Sequence, residues 1–103
     1  MNSRDDAIQY LRNLGYTARA RDWILGSTIV VPIGKKRLSA LTSKDEAEIY
    51  AWDGMLCLYP LESGEWAIND SRDVWNRDEK YPSLQDAVFS AEKIVRELNT
   101  DLE

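Results

Sequence analysis

Apolar residues recur at a helical period at both ends of the chain and alternate with polar residues at several places between. Ala7, Ile8, Leu11 and Leu14 fall at i, i+1, i+4 and i+7, one stripe of a helix predicted over residues 4–14. Ser3 stands three residues before Asp6, the spacing of a capping box, and Asp5 and Asp6 complement the dipole of the first turn. Gly15 supplies the left-handed position of a Schellman cap, which would fold Tyr16 back on Leu11. The second helix starts at another Ser-x-x-Asp box, Ser83 to Asp86. Its apolar residues, Leu84, Ala87, Val88, Ala91, Ile94, Val95 and Leu98, span an arc of about 120° at 100° per residue.

Between the helices the period is that of strands. Tyr16, Ala18 and Ala20 alternate with Thr17, Arg19 and Arg21, which predicts a half-buried strand over 16–21. Ser27 to Ile33 is rich in β-branched residues, and Pro32 predicts that this strand ends there or lies at an edge. Asp53-Gly54 is the pair favoured in a type I′ turn, so Ala47–Trp52 and Met55–Leu61 are expected to form a hairpin. Met55 to Tyr59 is apolar at every position, which places its strand centrally in the sheet. Ser63-Gly64 marks a turn before a short strand at Trp66–Asn69, and residues 34–45 and 70–82 read as polar connections. The chain is therefore predicted to be a single α+β domain, residues 1–103, in the order α-β-β-β-β-β-α. Its antiparallel sheet of about four to five strands carries the N-terminal and C-terminal helices on one face, a two-layer sandwich. Which strands are neighbours is not written in the pattern.

Composition narrows the function more than the fold. The chain has 103 residues, 44% of them apolar, enough to fill one core. No apolar run reaches the roughly 18–20 residues of a membrane span, and the first residues carry Asp5 and Asp6 rather than an apolar leader, so no secretory signal is expected. Cys57 is the sole cysteine, which suits a reducing, cytoplasmic setting. Its place between Leu56 and Leu58 predicts a buried, inert thiol. Histidine is absent, so Ser-His-Asp and Cys-His nucleophiles cannot be assembled, and one thiol cannot build a structural zinc site. Ser90 and Lys93 match a Ser-x-x-Lys spacing, but they lie inside the last helix without the accompanying motifs of such enzymes. Asn69 to Asp73 has the alternating oxygens of a calcium loop, yet Val74 and Lys80 stand where that loop needs glycine and glutamate. No enzyme, cofactor or metal site is expected.

Charge is the more informative signal. The formal net charge is −5, but residues 1–40 hold seven basic and three acidic side chains, a balance of +4. Residues 41–103 hold six basic and fifteen acidic, a balance of −9. The basic half gathers Arg19 and Arg21 on one strand face with Lys35, Lys36 and Arg37 in the following loop. In the acidic half, Asp70, Asp73, Asp78 and Glu79 interleave with Trp75 and Tyr81, a combination of charge and aromatic area suited to gripping a basic protein. Phe89, about 140° round the last helix from Leu84, is a secondary candidate because it lies among polar residues. In general character the chain is similar to bacterial toxin-immunity proteins, which are small, cytosolic, often acidic and non-catalytic, although no motif carries the likeness. This implies a non-catalytic inhibitor whose partner is a basic protein such as a toxin, with neither nucleic acid nor membrane as target. Two alternatives stay open: a nucleic-acid module using the basic N-terminal hairpin, and a carboxylate-dependent enzyme. The first resembles double-stranded-RNA-binding domains in its helix–sheet–helix order, but the last helix opens Ser83-Leu84-Gln85-Asp86 rather than with basic residues.

Overall fold

The structure, a computed structural model, describes residues 1, 3–23, 26–34, 54–70 and 80–102, with the side chains at 23, 101 and 102 excepted. Its element order is α1 (Arg4–Asn13), β1 (Arg19–Trp23), β2 (Gly26–Pro32), β3 (Met55–Pro60), β4 (Trp66–Asp70), β5 (Lys80–Tyr81) and α2 (Leu84–Leu102). The five strands form one antiparallel sheet in the order β1-β2-β3-β4-β5, so the fold is α+β as the pattern predicts.

Both helices begin where their caps say. The Ser3 hydroxyl accepts from the Asp6 N–H at 3.2 Å, and the Ser83 hydroxyl accepts from the Asp86 N–H at 3.2 Å. Each bond satisfies one donor that the first helical turn leaves without a partner. At the end of α1 the Gly15 N–H donates to the Arg12 carbonyl and the Tyr16 N–H to the Leu11 carbonyl, a complete Schellman motif. It requires the left-handed backbone that Gly15 adopts, with φ of 96°.

Ala7, Ile8 and Leu11 of α1 and Ala87, Val88, Ala91 and Val95 of α2 pack on one face of the sheet, against Ile29, Val31, Leu56, Leu58 and Ile68. Leu84, Ile94 and Leu98 complete the stripe of α2 from its margins. Leu14 departs from expectation, being 51% exposed. It is the C-cap of α1, where the chain leaves the helix axis before the stripe can be continued. The far end of α2 is tied to the sheet by Asn99, whose Oδ1 accepts from the Gly34 N–H at 2.6 Å just beyond β2.

β3 is central, as its apolar run predicts, and Val30 and Cys57 are buried on the face opposite the helices, with Met55 against them. The predicted hairpin needs correction, because β3 has β2 on one edge and β4 on the other. The arm Ala47–Trp52 lies outside the described residues, and the long β-branched row of β2 is what pairs with Met55–Leu58. Pro32 ends β2, which is an inner strand. β1 begins at Arg19 rather than Tyr16, since the helix cap occupies Tyr16 and the Arg12 side chain donates to the Ala18 carbonyl at 2.8 Å. The connection predicted over 70–82 is shortened at both ends. β4 runs on through Asp70, and Lys80–Tyr81 pairs with Ala67 and Trp66 as β5.

Candidate functional site

The acid-rich segment nominated for recognition is anchored at both ends in the sheet. Asp70 closes β4 opposite Leu56 of β3 and is only 2% exposed, so its carboxylate is not presented to solvent. Tyr81 lies in β5 opposite Trp66, half-buried, and packs against the core under the helices. Asp73, Trp75, Asp78 and Glu79 lie outside the described residues. Of the six nominated positions, the structure therefore places Asp70 and Tyr81, both turned inward. Alternation could have flagged Asp70, since Trp66, Ile68 and Asp70 share one face of β4, the face the helices cover.

Phe89 is 45% exposed, and its ring meets Tyr10 of α1 with centroids 5.6 Å apart and planes tilted by 55°. This is the offset geometry that aromatic pairs favour. The pair bridges the two helices at the boundary between core and solvent. Leu14, one helical turn beyond Tyr10, is the other large apolar side chain exposed among the described residues. Gln85 and Lys93, one turn before and after Phe89, are exposed and polar. Sequence reasoning missed Tyr10, because its contact with Phe89 joins two helices far apart in the chain.

Two polar contacts tie α1 and its cap to other elements. Arg4 of α1 donates to Asp22 of β1 at 2.6 Å, and that bond with its charge holds the exposed Asp22 carboxyl below the usual range. The Tyr16 hydroxyl donates to Glu92 Oε1 at 3.0 Å, which joins the cap of α1 to α2. Burial, then the bond to Glu92, pushes the Tyr16 hydroxyl up to about 12. Arg96 stands one turn beyond Glu92, with its guanidinium 3.8 Å from the same oxygen.

Cys57 is 1% exposed, and burial first, with the Asp70 charge adding to it, pushes the thiol up to about 11 despite the opposing effect of Arg21. A thiol held in that state is a poor nucleophile near neutrality. Among the described residues no three of Cys, Asp or Glu converge as metal ligands, and no helix is long and apolar enough to cross a membrane.

The raised thiol has a defined linkage. The folded state holds its proton more tightly than the unfolded state, so its contribution to stability is complete below the ordinary value of 9.0. That contribution is lost as pH rises toward about 11. Cys57→Ala is expected to flatten the decline in melting temperature across that window. A disulfide reagent at pH 8 should label wild type only at the rate of unfolding. Rapid labelling of native protein would show that Cys57 is accessible.

No known protein family matches this chain, and neither a curated protein nor a solved structure shows significant similarity to it.

Proposed function

We propose that this chain is a small, acidic, non-catalytic binding protein of the cytoplasm that neutralises or regulates a basic protein partner. The observation that carries the reading is Phe89, an aromatic left 45% exposed on the side of α2 away from the buried stripe of Ala87, Val88, Ala91 and Val95. A tilted contact with Tyr10 holds its ring in place, which lowers the entropy lost when a partner covers it. Burial of the one thiol weighs against nucleophilic chemistry. The net charge of −5 favours a cationic partner and opposes the phosphate backbone of a nucleic acid.

Recognition then has two parts. Asp73, Asp78 and Glu79 supply the field that draws the partner in, and Trp75 supplies contact area. Tyr81 roots that segment in the sheet, and α2 begins three residues later. Phe89 is five residues into that helix, about 8 Å along its axis from Leu84. A single partner surface could therefore span the base of the segment and the aromatic pair.

The test is to isolate a basic protein retained from native cytosol and measure its binding kinetics with purified components. Asp73→Lys with Asp78→Lys is expected to slow association about tenfold at low salt, because steering acts on the on-rate. Trp75→Ala and Phe89→Ala should instead speed dissociation, each by about thirtyfold if it fills a pocket, or about 2 kcal/mol. Unchanged rates in all three variants, or tight salt-sensitive binding of duplex RNA, would overturn the reading.

A further inference from the structure

One apolar row crosses the sheet beneath the helices and ends on β1, the outermost of the described strands. Ile68, Leu58, Ile29 and Ala20 are successive cross-strand partners from β4 to β1. The first three are buried, whereas Ala20 is exposed. Among the described strands β1 has one neighbour, β2. Trp23 and Gly26 are partners with only two residues between them, so they close the hairpin as a hydrogen-bonded pair. Narrow and wide pairs alternate along an antiparallel ladder. Arg21 and Arg19 therefore share their backbone bonds with β2, while the N–H and C=O groups of Ala20 and Asp22 point away from it. The side chains of Arg19 and Arg21 stand on the face opposite the helices.

We propose that the outer edge of β1 takes up an extended segment of a protein partner in which acidic and apolar residues alternate. The backbone of that segment would pair with Ala20 and Asp22, adding a sixth strand. Its apolar side chains would cover Ala20 and lengthen the buried row, and its acidic ones would lie beside Arg19 and Arg21. A second copy of this chain is a poor occupant. Antiparallel pairing of two β1 strands centred on Ala20 sets Arg19 opposite the other copy's Arg21, and centring on Arg21 sets arginine against arginine. Like charges directly opposite are destabilising, so the two residues that select an acidic strand also guard the edge against self-pairing. The inference concerns a different edge from Phe89 and stands apart from the function proposed above.

The probe is the peptide acetyl-Glu-Val-Glu-Val-Glu-amide, titrated to millimolar concentration into isotope-labelled protein and followed by amide NMR. Shifts and slowed amide exchange are expected at Ala20 and Asp22, with the corresponding Lys-Val-Lys-Val-Lys peptide at least about tenfold weaker. Ala20→Pro deletes the outward N–H without removing a β1–β2 bond, so it should keep the fold and weaken the acidic peptide at least about tenfold. Arg21→Glu should narrow or reverse the preference between peptides, and it decides the matter if the proline variant does not fold. Absence of shifts at β1, shifts confined to another surface, or equal affinity for both peptides would overturn the proposal. Concentration-dependent dimerisation that protects Ala20 would also overturn it, by making a second copy the occupant.

Discussion

Val95→Asp is expected to lower the unfolding free energy by about 4 kcal/mol, because it puts a carboxylate into the interface between α2 and the sheet. Val95 is fully buried in the cluster that α1, α2 and the sheet build together. A charge there would be surrounded by the apolar side chains of that cluster, and α2 cannot rotate it outward without exposing Ala91 and Val88. Against the 5–15 kcal/mol typical of a domain, such a loss leaves the fold marginal. Lys93→Asp, on the exposed side of the same helix, is the control and should change stability by less than about 0.5 kcal/mol. Urea unfolding of both variants checks the assignment. A Val95→Asp midpoint equal to that of wild type would mean that α2 buries a different face.

Leu58→Ala should cost about 3.5 kcal/mol, at the middle of the range for a leucine deleted from a packed core. Leu58 lies in the central strand with Ile29 opposite it on β2 and Ile68 on β4, and it is completely buried. The strands on both sides hold each other in register, so the site cannot collapse to fill the cavity, and the penalty includes the void. The same substitution at Leu14, 51% exposed at the helix cap, should cost well under about 1 kcal/mol. Comparable losses at the two positions would indicate that the core is centred nearer the end of α1 than the structure places it.

The difference between these two leucines marks where periodicity stops being informative. Leu11 and Leu14 look alike in the spacing of the first helix, yet one is buried and the other is a cap residue. Spacing assigns a face only while the helix continues. The candidate site shows the same limit from the other direction. Asp70 reads as part of an acidic surface when charges are counted along the chain, but the ladder with Leu56 extends β4 over it and buries it. Phe89 was legible as an aromatic on the wrong side of its helix, whereas its partner Tyr10 was not, because their contact joins residues on separate helices.

What the sequence determined by itself was local. Both helices, their serine caps and the Gly15 terminus rest on bonds between residues a few positions apart, so short-range spacing is sufficient to specify them. The central position of β3 was also legible, because only a strand covered on both faces is apolar at every position. Strand partners were decided in three dimensions. Asp53-Gly54 announces a turn, but the strand that pairs with Met55–Leu58 is β2, more than twenty residues earlier in the chain. A backbone edge accepts any extended neighbour, so its choice is made by which apolar rows can be buried together under the helices. Here that row joins Ile29, Leu58 and Ile68 from three strands, and its exposed end at Ala20 exists only once they are assembled.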